Sequence, residues 1–92
     1  MIVDEESVEE LFTTHDLEGL IAAGAPADEY EPEMEQLIEA LALIPQGEAS
    51  QSKIVDLLTT IWRADFSATE DRLETLRPGF ESMANTLLEH YD

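Results

Sequence analysis

The densest reactive chemistry in the chain is a run of carboxylates around one aromatic ring. Asp28, Glu29, Tyr30, Glu31, Glu33 and Glu35 fall within eight residues. Side chains of this kind could hold a cation, share a proton as an acid–base pair, or receive Lys and Arg from a partner. A calcium loop needs acids at alternating positions around a glycine and a late glutamate. Here Pro32 interrupts the run and the glycine is missing, so no metal is expected. An acid–base pair needs two carboxyls in unlike environments, and nothing in this spacing sets one apart from a solvated helix face. The third use stands. The six residues form an expected docking patch for basic side chains, with Tyr30 as an aromatic anchor of the kind interfaces favour. A structural use competes with it. Acids at the start of a helix stabilise its free N–H groups and its dipole, and Tyr30 could pack against Met34 or Leu37.

The remaining candidates are sparse. His15 and His90 are the only histidines, and no His-Glu-x-x-His spacing for zinc occurs. His90 suits the negative end of a last helical turn, and His15 suits a turn or cap. No serine lies in a nucleophile-elbow motif. Gly19, Gly24, Gly47 and Gly79 are dispersed, so no phosphate-cradling loop is present. There is no cysteine, which removes disulfides, thiolate ligands and cysteine nucleophiles and suits a reducing compartment. No catalytic residue, cofactor or metal is expected, and the chain reads as a non-enzyme.

Charge is the outlier. Twenty-two acids face four bases, for a net −18 over 92 residues. Residues 1–52 hold 14 acids and no Lys or Arg, whereas residues 53–92 hold 8 acids against Lys53, Arg63, Arg72 and Arg77. Such a chain repels nucleic acid and anionic membranes and attracts a basic protein surface. The first residues lack the basic region and apolar run of a signal peptide. No apolar stretch approaches the roughly 18 residues of a membrane span. A soluble, cytoplasmic protein is the expectation.

The elements that must position these groups are helical. Asp4 is the expected N-cap of a first helix, with Val3 and Val8 at hydrophobic-staple spacing and Val8, Leu11 and Phe12 facing inward. Thr13 to Asp16 reads as a break, with Asp16 capping a short turn through Leu17, Leu20 and Ile21 that ends at Gly24. Pro32 fits the first turn of a second helix. Its stripe is Met34, Leu37, Ile38 and Leu41, and Glu33, Glu35 and Glu39 should face water. Ser50 or Ser52 caps a third helix whose Ile54, Leu57, Leu58, Ile61 and Trp62 keep the i, i+3, i+4, i+7, i+8 spacing. Ser67-Ala68-Thr69-Glu70 reads as a capping box before Leu73 and Leu76. The stripe continues through Phe80, Met83, Ala84, Leu87 and Leu88 to Tyr91, with a kink or short break at Pro78-Gly79. The expected fold is all-α: one domain over residues 1–92, an irregular bundle of four to five short helices.

Two stretches carry resemblances. His15-Asp16-Leu17-Glu18-Gly19-Leu20-Ile21, Gly24-Ala25-Pro26 and Asp28-Glu29-Tyr30-Glu31-Pro32-Glu33 resemble the hallmark of the YugE-like family of small helical bacterial domains of unknown function. That family has Trp where His15 stands and Pro where Leu17 stands. The resemblance implies an α-helical array and brings no activity. Leu57-Leu58-Thr59-Thr60-Ile61, Ala64-Asp65, Ser67 and Glu70-Asp71 are similar, over about a quarter of the chain, to a helix–turn–helix stretch of colicin nuclease immunity proteins. Those are acidic four-helix proteins that block basic nucleases. Their partner-binding Asp-Leu-Ile-Tyr-Tyr-Pro segment is absent here.

The function expected from charge and resemblance together is a binding module that masks a basic, nuclease-like protein. One alternative is a housekeeping domain whose acidity answers a salt-rich cytoplasm, in keeping with its single lysine. Another is a homodimeric adaptor, pairing through Val8, Leu11, Phe12, Leu87, Leu88 and Tyr91; the oligomeric state expected is a monomer or weak homodimer.

Overall fold

Local capping chemistry sets where the helices start. In the computed structural model, which describes residues 1–19, 22–24, 30–45 and 47–91 (for Tyr91 the backbone only), α1 spans Glu5–His15, α2 Glu31–Ala42, α3 Gln51–Asp65 and α4 Glu70–Tyr91. The Asp4 carboxylate accepts the Ser7 backbone N–H at 2.9 Å and opens α1. Ser50, rather than Ser52, opens α3 by accepting the Lys53 N–H at 3.2 Å. Pro32 lies in the first turn of α2, where its missing N–H removes no helical bond. No strand occurs among the described residues, and the fold is all-α.

The apolar stripes converge on one core. Val8, Leu11 and Phe12 of α1 meet Met34, Leu37 and Leu41 of α2. α3 adds Ile54, Val55, Leu58, Ile61 and Trp62. Leu73, Leu76, Phe80, Met83, Ala84 and Leu87 of α4 close it. The radius of gyration, 12.4 Å, is that of one compact domain of this length. α3 is the central element, packed on both α2 and α4, whereas α1 leans on α2 and touches α4 least. Trp62 is the hub. Its ring centroid lies 5.9 Å from Phe12, 6.4 Å from Tyr30, 5.1 Å from Phe66 and 5.4 Å from Phe80. One side chain thus touches residues from or beside all four helices. Among the described residues, its buried Nε1 has no hydrogen-bond partner. The Met1 amino group donates to the carbonyls of Leu41, at 2.9 Å, and Ile44, a favourable place for a cation at the end of α2.

Several sequence expectations are corrected. α1 does not break at Thr13 but runs through His15. Asp16 is its C-terminal cap in the left-handed region, φ 40°, a conformation Asp tolerates better than most residues. The turn expected after Asp16 is present at residues 16–19 and 22–24, with Asp16 Oδ2 accepting the Ala22 N–H; Leu20 and Ile21 lie outside the described residues. Ser67 does not cap α4. It adopts φ 51°, and Thr69 Oγ1 accepts the Arg72 N–H at 3.2 Å, placing the start two residues later. α4 continues through Pro78-Gly79 without a break. The apolar face expected to pair two copies is spent internally. Val8, Leu11, Phe12 and Leu87 are buried in the chain's own core and Leu88 is half-buried against it; the Tyr91 side chain is outside the described residues. Among the described residues, no helix is long and apolar enough to cross a membrane.

Gly79 has a packing reason to be glycine. A Cβ there would come within 2.6 Å of Leu17 Cδ2, so the 16–19 turn lies directly on α4. In an otherwise neutral helix position Gly→Ala stabilises by about 0.5–1 kcal/mol. That gain should be offset here by displacement of Leu17. Gly79→Ala is therefore expected to stabilise in a Leu17→Ala background and not in the wild type. A coupling near 1 kcal/mol in a urea-unfolding double-mutant cycle is the expected result, and strict additivity would refute the close approach.

Candidate functional site

The expected acidic patch does not present one face. Asp28 and Glu29 lie outside the described residues. Glu31 and Glu35 are exposed. Tyr30 and Glu33 are 1% and 6% exposed, which corrects the reading of Tyr30 as a surface anchor and of Glu33 as a solvent-facing acid. Glu33 sits in the first turn of α2, where the helix's positive end favours a carboxylate. Tyr30 packs edge-on against Phe12, centroids 6.0 Å apart, and turns its hydroxyl inward. That hydroxyl donates to Asp16 Oδ1 at 2.7 Å and accepts the Glu18 N–H at 3.1 Å. Asp16 Oδ2 accepts the Ala22 N–H at 2.9 Å. Arg72 of α4 reaches over to donate to Leu17 O at 3.2 Å and Glu18 Oε2 at 2.8 Å. Asp16, Leu17, Glu18 and Tyr30 thus form, with Arg72, a latch that ties the turn residues 16–19 and 22–24 to the start of α2 and to α4.

The four bases decide which acids stay uncompensated. Arg63 pairs with Glu70 at 2.9 Å, Arg72 with Glu18 at 2.8 Å and Arg77 with Glu81 at 3.7 Å. Lys53 Nζ donates to Glu48 O at 2.9 Å. None of the four reaches α1. Glu5, Glu6 and Glu10 are exposed there and Glu9 is half-buried, with no ion pair to a described residue. Glu6, Glu9 and Glu10 share a shallow concavity with Thr13 and Thr14. This acidic ridge has no ion pair among the described residues, and neither do the exposed Glu31, Glu35 and Glu39 of α2.

Beside the ridge, the loose α1–α4 contact leaves a groove, a cavity of about 380 Å³. α1 lines it with Ser7, Glu10, Leu11, Thr14 and His15. α4 contributes Thr86, Leu87 and His90. The two histidines, 75 positions apart in sequence, thus meet at one groove. Sequence reading assigned them to helix ends and missed this. The available signal was a polar stripe, Ser7, Glu10 and Thr14, running alongside the apolar stripe of α1, matched by Thr86 and His90 on α4. His15 Nδ1 lies 3.0 Å from Leu11 O and Nε2 lies 3.2 Å from Ser82 Oγ. A carbonyl only accepts, so Nδ1 carries a proton, and Nε2 is hydrogen-bonded to the Ser82 hydroxyl.

A serine hydroxyl on an imidazole is the raw material of nucleophilic catalysis. Acyl transfer also needs N–H donors aimed at the developing oxyanion. Ser82 lies in the interior of α4, where the neighbouring backbone N–H groups are committed to helical bonds. The contact therefore ties the end of α1 to α4. Among the described residues, no group of three His, Asp or Glu side chains could hold a metal ion. What the groove and ridge offer is an apolar floor of Leu11 and Leu87 under carboxylates, hydroxyls and imidazoles. No family model matches the chain, and neither the curated proteins nor the solved structures contain a match to it.

Proposed function

We propose that the chain is a non-catalytic binding module that masks a basic, nuclease-like protein, with the α1 ridge as its contact surface. The observation that carries this reading is the pairing pattern. All four bases are engaged elsewhere, and Glu5, Glu6, Glu9 and Glu10 are left together on one helix. Concentrated like charge on a helix face opposes folding, and a cationic partner relieves it. Carboxylates on a ridge can occupy positions that phosphates would take on a nucleic-acid-binding protein, so occlusion is the mechanism. Charge pairs then set the association rate and the choice of partner. The similarity of residues 57–71 to colicin nuclease immunity proteins supports the same class of partner. It places no contact residues, since their binding segment is absent here.

The test is affinity capture from the native host, read by mass spectrometry, with wild type and a Glu6→Lys/Glu9→Lys/Glu10→Lys variant side by side. A basic protein should be retained by the wild type at low salt. It should be released as ionic strength rises past about 0.15 M, where charges more than about 8 Å apart are screened. The charge-reversed chain should not retain it. Equal capture by both chains, or no basic protein in either, would overturn the reading.

A further inference from the structure

We infer that the α1–α4 groove receives an arginine side chain from that basic partner; this rests on the reading of the α1 ridge as the contact surface and adds the residue type that docks there. At about 380 Å³ the groove is at the small end of ligand cavities, roughly 300–1,000 Å³. It is open on one side, which suits a side chain entering from a partner surface. Its chemistry is layered in the order an arginine is. Leu11 and Leu87 form an apolar floor that the three-methylene stem can cover. Glu10 stands at the groove's acidic wall, where its carboxylate can take the two parallel N–H bonds of a guanidinium. Thr14 and Thr86, on opposite walls, offer hydroxyl oxygens to the remaining donors. The His15 ring is held by bonds at both nitrogens, which fixes its plane as a stacking surface for a flat cation.

Lysine fits less well. Its ammonium is compact and strongly hydrated, cannot form the bidentate pair and does not stack. Glu6 and Glu9 extend the acidic wall outward, so further basic residues on the partner would be attracted without being read individually. The groove thus supplies selectivity, and the ridge supplies steering.

The experiment uses the full chain and two peptides of equal charge, hexa-arginine and hexa-lysine, titrated by calorimetry at low salt, with amide shifts followed by NMR. Hexa-arginine should bind about tenfold tighter, the equivalent of 1.4 kcal/mol, with shifts centred on residues 7–15 and 86–90. Glu10→Gln should abolish the preference by bringing hexa-arginine down to the hexa-lysine affinity. Glu5→Gln, on the same helix away from the groove, should weaken both peptides equally. Equal affinity for the two peptides, or identical effects of the two substitutions, would overturn the arginine groove while leaving the charge-based reading in place. Binding of neither peptide would overturn both.

Discussion

Trp62→Ala should lower the melting temperature by about 15–30 °C. Truncating a buried aromatic to alanine costs about 3–5 kcal/mol, and for a domain of 60–100 residues each kcal/mol moves the midpoint by about 4–8 °C. The upper part of the cost range applies because the site cannot collapse locally. Phe12, Tyr30, Phe66 and Phe80 surround the indole from different elements, so closing the cavity would mean moving whole helices. Small domains hold about 5–15 kcal/mol in total, and a net charge of −18 works against the compact state. Trp62→Phe separates volume from polarity. It keeps an aromatic ring in the cluster and removes an N–H that has no partner among the described residues, so its cost should stay near 1–2 kcal/mol. Thermal circular dichroism on the three chains decides the matter. A Trp62→Ala protein melting within about 5 °C of wild type, a change of only about 1 kcal/mol, would show that the four contacts do not make a hub.

The position of Trp62 in the core was legible from the sequence, and so was most of the fold. Helical stripes such as Ile54, Leu58, Ile61 and Trp62 repeat at a period that local geometry imposes. The caps Asp4 and Ser50 act on N–H groups three residues away, so neighbouring residues suffice to find them. The readings that failed are those decided at long range. Ser67 has good capping chemistry, yet the turn after α3 places it at φ 51° and hands the role to Thr69. Asp16 looked by type like the cap of a short following turn, and it bonds that turn through the Ala22 amide; that it also closes α1 and accepts from a tyrosine 14 residues later was not visible. Of the kink or short break expected at Pro78-Gly79, the break does not occur: the helix runs on, and Leu17 packs on the glycine.

The charge was legible in amount and only in part in its placement. Counting acids along the chain puts the peak at residues 28–35, where six candidates crowd together. Folding redistributes them. Burial takes Tyr30 and Glu33 out of any surface patch, and Arg72, 54 residues from Glu18, neutralises part of the adjoining turn. The ridge on α1 stands out only after those pairings are known, since Glu5, Glu6, Glu9 and Glu10 alone look like ordinary first-turn and solvent-facing acids. The groove was less legible still. It exists because α1 leans toward α2 and away from α4, a tertiary outcome that no local pattern encodes.

Asp16→Ala should cost about 2–4 kcal/mol, the second largest single effect, although Asp16 lies outside the apolar core. The substitution removes acceptors for the Tyr30 hydroxyl and the Ala22 amide. It also asks alanine to hold φ 40°, a left-handed conformation that costs a Cβ-bearing residue roughly 1–2 kcal/mol. Leaving a buried donor unsatisfied adds about 1–3 kcal/mol. Tyr30→Phe should cost about 1–3 kcal/mol, because it removes the donor to Asp16 Oδ1 and the acceptor of the Glu18 amide. The two should not add. Once either partner is gone the shared bond is lost, so the double variant should be less destabilised than the sum by about 1–2 kcal/mol. Asp16→Asn keeps an acceptor and tolerates the left-handed turn, and should fall between wild type and alanine. Hydrogen exchange tells this latch from a general loss of packing. In Tyr30→Phe the amides of Glu18 and Ala22 should open well before those of α3, since local opening follows the weakest contacts. Uniform acceleration across α3 and α4 would mean that the latch is simply part of the core. If it opens alone, Glu5, Glu6, Glu9 and Glu10 keep their places on α1, and hexa-arginine binding should survive the Tyr30→Phe substitution.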